Sequence, residues 1–303
     1  MALEFDTRFD PAYGQSVAVA PDVLRITARN PSPFTFHGTN SYLVGRDTLA
    51  VIDPGPDNND AHLETLLTAI GGRPVSHIFV SHTHRDHSPL AARLKERTGA
   101  TVLAEGPHRP ARPLRIGEVN PLDASADLGF APDVALAEGS LIHGDGWTIR
   151  TVLTPGHTAN HAAFALEGTD ILFSADHVMA WATSIVAPPD GAMADYMKSL
   201  DSLIERDDRL LLPGHGGPVT APRKFMRGLK THRKMRERAI LERIRSGDRR
   251  IQDMVAAIYR DTDPRLHGAA GLSVLAHLED LVARGLVATE GDPAIDGIFS
   301  PAG

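Results

Sequence analysis

The sequence predicts an α/β fold followed by a small, mostly helical C-terminal module, and three observations carry that reading. Over the first two hundred residues, short β-branched runs alternate with turn signals and helical segments. The strands are too closely spaced for a doubly wound parallel sheet. After Thr220 the pattern changes to a succession of helices.

Taken in order, the strand candidates are Val17–Val19, Val23–Ala28, Ser41–Val44, Leu49–Ile52, His77–Val80, Thr101–Leu103, Thr148–Leu153, Ala162–Leu166, Ile171–Phe173 and Leu210–Leu212. Helices are expected at Ala61–Ala69, at Pro89–Thr98 with Ser88 as its cap, and at Tyr196–Glu205. Glu105–Leu136, rich in Pro, Asp and Ala, reads as a long loop or insertion whose His108, Arg109, Arg112 and Arg115 either face a substrate or, as the expected outcome, are solvated. Beyond it, Lys224–Arg245 reads as one long helix or two, Ile251–Tyr259 as another and Leu272–Arg284 as a third. A short strand at Leu286–Ala288 then meets a turn at Glu290-Gly291-Asp292. Three helices and a hairpin is the order of a winged-helix module. The expected boundary is near residue 225, giving domains 1–225 and 226–303.

Composition restricts the chemistry. At 303 residues, with 42% hydrophobic and 23% charged side chains, the chain can bury a full core without covalent staples. It has no cysteine, which excludes disulfides and thiolate ligands, so any metal must be held by histidine and carboxylate. Met1–Gln15 carries Glu4, Asp6 and Asp10 without an apolar run, and no stretch has the length of a membrane span; a soluble cytoplasmic protein without a membrane partner is expected. Arg223–Arg250 holds twelve Lys or Arg against Glu237, Glu242 and Asp248, a local +9 in a chain of net −7. Such a segment either contacts a polyanion or forms a solvated helical face.

The segment His82-Thr83-His84-Arg85-Asp86-His87 carries the chemistry. It follows a strand and precedes a helix, and histidines two apart in extended backbone point to the same side. Four ligand-type residues in six positions are hard to explain by packing, and Asp86 and His87 are placed to face a second ion. Distant partners follow other strands: His157 in Thr154-Pro155-Gly156-His157-Thr158, Asp176 in Ser174-Ala175-Asp176-His177, and His215 in Leu212-Pro213-Gly214-His215-Gly216-Gly217. Glycines beside His157 and His215 allow the tight backbone that aims an imidazole inward. Asp53, in Val51-Ile52-Asp53-Pro54-Gly55, is either a turn former or a carboxylate that orients a ligand imidazole. His177 is expected to be structural or to support a ligand. His37, His77, His108 and His161 are expected in core or surface roles, and Trp181 and Tyr42 in packing.

The set His82-x-His84-x-Asp86-His87, His157, Asp176, His215 resembles the metal motif of the metallo-β-lactamase superfamily in order and approximate spacing. Gly38-Thr39-Asn40-Ser41-Tyr42-Leu43-Val44, the run from Asp176 to Ser184 and the winged-helix-like tail look like the β-lactamase-like protein 2 family, whose animal members are endoribonucleases. The resemblance implies an αββα sandwich with metals at one edge of its two sheets. It implies that His82, His84 and His157 hold one ion, that Asp86, His87 and His215 hold the second, and that Asp176 bridges them. Zinc is the expected metal, with iron or manganese as alternatives. The lack of a thiolate departs from the antibiotic-degrading lactamases.

The implied chemistry is a di-metal hydrolase. Two dications about 3.5–4 Å apart would lower the pKa of a bridging water toward 7 and generate hydroxide as nucleophile, with Asp86 orienting it and relaying its proton. Single-stranded RNA is the first substrate reading, from the family resemblance and the basic segment. A thioester, ester or lactone, as in glyoxalase II, is the alternative, favoured by the acidic body. Mononuclear-iron persulfide oxidation would need fewer ligands, and a non-catalytic nucleic-acid-binding scaffold would be expected to have lost some. The third C-terminal helix, with its apolar repeat, reads as packing, so the terminal module is expected to be a substrate platform or structural support.

Overall fold

In the computed structural model, which describes residues 3–115, 118, 120 and 123–303, the chain between Ser16 and Pro213 forms two mixed sheets. The first contains, in spatial and chain order, β1 (Ser16–Ala20), β2 (Val23–Thr27), β3 (Asn40–Val44), β4 (Leu49–Ile52), β5 (Val75–Phe79), β6 (Thr101–Ala104) and β7 (Val134–Ala135). The second is built from β8 (Leu141–His143), β9 (Thr148–Leu153), β10 (Ala162–Leu166), β11 (Ile171–Ala175) and β12 (Leu210–Pro213), in the reverse spatial order. β4, β5, β6 and β7 run parallel to one another, as do β11 and β12, and the remaining neighbours are antiparallel.

Alternation along the strands generates four layers. Tyr42 and Val44 of β3, Ala50 and Ile52 of β4, Phe164 of β10 and Phe173 of β11 fill the core between the sheets. Their neighbours Leu43, Leu49 and Val51 face outward beneath α1 (Asp60–Ile70) and α2 (Leu90–Thr98). On the other side, Ala163, Ala165 and Leu172 pack beneath α3 (Met193–Ile204) and the start of α4 (Pro222–Arg245). The result is an αββα sandwich. Its strands are apolar on both faces because each face is covered.

α4 is one uninterrupted helix and crosses residue 225. Met226 and Leu229 belong to the core beneath α3, whereas Ile240 and Ile244 belong to a separate core with α5 (Ile251–Ile258) and α6 (His267–Ala283). A hairpin of β13 (Val287–Thr289) and β14 (Phe299–Pro301) completes the winged-helix order.

Several local expectations differ from the structure. Ser88 does not cap α2; its hydroxyl donates to Asp127 Oδ2 at 2.7 Å, and Pro89 stands at the cap without a side-chain bond. α6 starts at His267, five residues before the expected Leu272, because Gly268 and Gly271 masked the helical pattern of its first turns. β7 and β8 are only two and three residues long, too short to show a period, and the hairpin return strand lies beyond a longer connection than a three-residue turn. No helix among the described residues is long and apolar enough to cross a membrane.

Candidate metal centre

Four strand ends deliver the candidate ligands to one place. The loop after β5 carries His82, His84, Asp86 and His87; β9 leads to His157, β11 to Asp176 and β12 to His215. Because β5 and β11 lie in different sheets, the ligands meet at the edge of the sandwich. All seven predicted residues are brought together.

Their donor atoms form two overlapping groups. His84 Nδ1 lies 2.9 Å from His82 Nε2 and 3.0 Å from His157 Nε2. In the second group, His87 Nε2 and His215 Nε2 are 3.4 Å apart, and each lies 3.2 Å from Asp86 Oδ2. Asp176 stands between them, with Oδ1 3.5 Å from His87 Nε2 and Oδ2 3.3 Å from His215 Nε2 and 3.7 Å from His157 Nε2. Ligands bound to a tetrahedral ion at about 2.0–2.1 Å stand roughly 3.3 Å from one another, so these spacings fit a divalent cation. Asp176 Oδ1 is buried without a hydrogen-bond partner, a costly state for a carboxylate oxygen unless a cation faces it.

The far nitrogens of the imidazoles fix their orientation. His82 Nδ1 meets Ser81 Oγ at 3.0 Å, His87 Nδ1 meets Asp53 Oδ2 at 2.9 Å, His157 Nδ1 meets the Ile185 carbonyl at 2.6 Å and His215 Nδ1 meets the Gly38 carbonyl at 3.1 Å. These contacts turn each Nε2 toward the centre as a lone-pair donor. His84 is reversed, presenting Nδ1. Asp53 also accepts from the Ser81 amide and hydroxyl, at 2.7 Å each, so one carboxylate supports both His82 and His87. Of its two readings, the supporting carboxylate is the one the geometry gives.

Electrostatics divides the site. Burial holds His82, His84 and His157 below the usual imidazole range, so each neutral ring keeps one nitrogen lone pair for a metal. Burial also opposes charge on His87 and His215, but the carboxylates overcome it, with Asp86 leading at His87 and Asp176 at His215; His215 is raised to about 10. Against their own burial, Asp86 and Asp176 are held well below the ordinary carboxylate range by these same imidazoles. The second group is therefore a set of anionic oxygens awaiting positive charge, from protons or from a metal.

Some supporting residues were missed. Thr39 donates to Asp86 Oδ2 at 2.9 Å, and His161, expected to be core or surface, accepts from the Asp176 amide through Nε2 at 3.3 Å while Nδ1 meets Thr154 Oγ1 at 2.7 Å. His161 follows the ligand His157 by four residues, and Thr39 lies in the Gly38–Val44 run that carries the family resemblance. Gly214 has a role beyond flexibility: a Cβ there would lie 2.4 Å from Asp176 Oδ1 and 2.7 Å from His87 Cε1. Trp181, expected in the sandwich core, instead stacks on Phe36 at 4.8 Å and lies against Gly216 beside His215. Tyr42 is buried between the sheets as expected, its hydroxyl donating to the Pro213 carbonyl.

Outside the centre, the basic segment keeps most of its cations in solvent but draws three inward. Arg233 is buried over the Tyr196 ring, Arg236 lies over Tyr259 and donates to the Ile258 carbonyl, and Arg243 pairs with Asp248. In the long loop, His108 is buried against Thr83 Oγ1, and Arg112 and Arg115 bind Glu279 of α6, so neither arginine is free in solvent.

An αββα sandwich with histidines and aspartates gathered at its edge defines a metal-dependent hydrolase. The chain belongs to the metallo-β-lactamase superfamily: residues 34–215 match the family described as "Metallo-beta-lactamase superfamily", and residues 251–297 match "Beta-lactamase associated winged helix domain". It is 30% identical to the Beta-lactamase-like protein 2 homolog of Drosophila melanogaster over 274 residues, covering 87% of this chain and 88% of that one. It is 28% identical to an atrochrysone carboxyl ACP thioesterase of Paecilomyces divaricatus, covering 79% and 70%. The fold is shared with a beta-lactamase domain protein from Burkholderia ambifaria (TM-score 0.79, 23% identity, 97% and 95% covered). It is also shared with a metallo-beta-lactamase family protein from Thermus thermophilus (TM-score 0.76, 24% identity, 94% and 100% covered). The superfamily implies a divalent metal site with His and Asp ligands.

Proposed function

We propose that the chain hydrolyses an acyl thioester at a centre of two zinc ions. His82, His84 and His157 hold one ion, Asp86, His87 and His215 hold the other, and Asp176 serves both. When bound, the ions supply Lewis acidity and an activated water. Asp86 differs from Asp176 in access: its side chain is 24% exposed, against 8%. It is therefore the carboxylate that can take the proton of the attacking water and hand it to solvent, while Thr39 holds its Oδ2 in place.

The observation that carries the thioester reading is the aromatic wall beside His215. Phe36 and Trp181 stack nearly parallel, at 10°, and both are partly exposed. Such a wall accommodates an apolar acyl group and supplies no donor to a phosphate, although a nucleobase also stacks on such rings. The leaving group agrees, since a thiol of pKa about 8.5 departs without a dedicated acid, whereas a ribose alkoxide needs one. The name of the thioesterase relative supports the same class.

RNA is the second reading, favoured by a row of exposed cations on α4. Arg227, Lys234, Arg238 and Arg245 recur at helical spacing on the solvent side. The test is a matched assay of the zinc-loaded chain with acyl-pantetheine thioesters and single-stranded RNA, each with and without chelator. Chelator-sensitive thiol release is expected. RNA cleavage without thiol release would replace the first reading by the second.

A further inference from the structure

The loop after Asp176 is held from three directions, and one hold comes from outside the sandwich. The Ser184 hydroxyl shares its one proton between two carbonyls, Asp176 O at 2.5 Å and His177 O at 2.8 Å. The next residue, Ile185, gives its carbonyl to His157 Nδ1. Loop 176–185 thus contains one central carboxylate and the anchor of a histidine from another strand. Tyr196 of α3 donates to the His177 carbonyl at 3.2 Å. Arg233 of α4 donates through Nη2 to the carbonyl of Ser184, the residue between the two anchors.

Arg233 is unusual for a surface-type residue. Its side chain is 4% exposed, and no carboxylate pairs with it among the described residues. Its guanidinium is satisfied by the Ser184 carbonyl and by the face of Tyr196, 5.0 Å from the ring centroid, while Nε is buried without a partner. An unpaired buried guanidinium is costly to keep, and an apolar side chain would suit the position between Leu229 and Ile240 better. What Arg233 alone supplies is a fixed planar donor at the end of a long arm, which lysine does not reproduce.

We propose that Arg233 is a positioning residue for the metal centre. Helix α4, which joins the two modules, uses it to set loop 176–185 and thereby the carboxylate of Asp176 and the ring of His157. The inference rests on the two-metal reading above. Arg233 touches neither metal nor substrate; it acts through Ser184.

The experiment uses the full-length chain loaded with cobalt as a spectroscopic stand-in for zinc. Metal affinity is measured by chelator competition, and ligand geometry by the visible absorption of cobalt, for wild type, Arg233→Met, Arg233→Lys, Ser184→Ala and the exposed control Lys224→Met. We expect metal affinity to fall about tenfold or more in Arg233→Met and Ser184→Ala, in the range for residues that support ligands. We also expect an altered cobalt spectrum in both variants, partial recovery in Arg233→Lys and no change in Lys224→Met. Ser184→Ala removes only the loop's own hydroxyl contacts, whereas Arg233→Lys, which keeps a cation but not the planar fork, keeps the test decisive where Arg233→Met does not fold. A wild type that binds two metals, with folded Arg233→Met, or Arg233→Lys where the Met variant does not fold, indistinguishable from it, overturns the role of Arg233 alone. A wild type that takes up no metal overturns the two-metal reading and this inference together.

Discussion

Asp53 Oδ2 lies 2.9 Å from His87 Nδ1, and both side chains are buried. The pair joins the end of β4 to the loop after β5, and Asp53 also holds Ser81, the partner of His82. One carboxylate therefore sets an imidazole in each donor group.

Replacing Asp53 by Ala should weaken metal binding by about 10–100-fold. Asn would keep the shape and lose the charge, and should fall between. Chelator competition measures both. Wild-type affinity in Asp53→Ala would mean that the ligand rings are oriented by packing alone.

Gly214→Ala should disable the centre without unfolding the sandwich. Its Cβ would be forced against Asp176 Oδ1 and His87 Cε1, neither of which can move without leaving the donor group. A loss of about 100-fold in kcat is expected for a displaced ligand set. Gly217→Ala is the control, since the nearest atom to its Cβ would be 3.6 Å away. Equal activity in the two variants would remove the steric role of Gly214.

Asp86→Asn should lower kcat about 10²–10⁴-fold, the range for loss of a proton-transfer group, with a smaller effect on KM. Single-turnover and steady-state kinetics on a chromogenic thioester separate these. A purely KM effect would reassign Asp86 to substrate binding.

His277 makes stability fall in acid. Burial, with Arg233, Arg284, His232 and Arg236 nearby, lowers it from 6.5 to about 3, and neither ring nitrogen has a partner. The native state therefore binds this proton less readily than the unfolded chain. The contribution is fully present above pH 6.5 and is lost as pH falls toward 3, at up to about 1.4 kcal/mol per pH unit. His277→Leu should flatten Tm against pH between 6.5 and 4. A slope identical to wild type would mean that the histidine is not neutral in the fold.

Charge reversal at Arg238 and Arg245 separates the substrate readings. The thioester reading expects kcat/KM within about twofold of wild type, as these side chains lie on the solvent side of α4 and salt screens them. A tenfold loss of RNA cleavage with a shallower salt dependence would assign the row to a phosphate backbone.

The sequence by itself determined which residues are candidate donors, and the order of layers followed from the family they resemble. A ligand motif at a strand end is readable because the strand fixes side-chain alternation and the loop follows within a residue or two. The histidines at 82, 84, 87, 157 and 215 and the aspartates at 86 and 176 are all local signals of that kind. Arg233 shows the opposite case. It shares a helical stripe with Met226, Leu229, Ile240 and Ile244, a spacing that was visible, yet its charge argued for solvent. Only the tertiary structure decided that the Ser184 carbonyl and the Tyr196 ring, distant in sequence, would meet the guanidinium there. The same holds for Asp53, Gly214 and Trp181, whose roles depend on which atoms another sheet or loop brings beside them. A side chain's partners across the fold are set by packing between elements, and no local pattern encodes that.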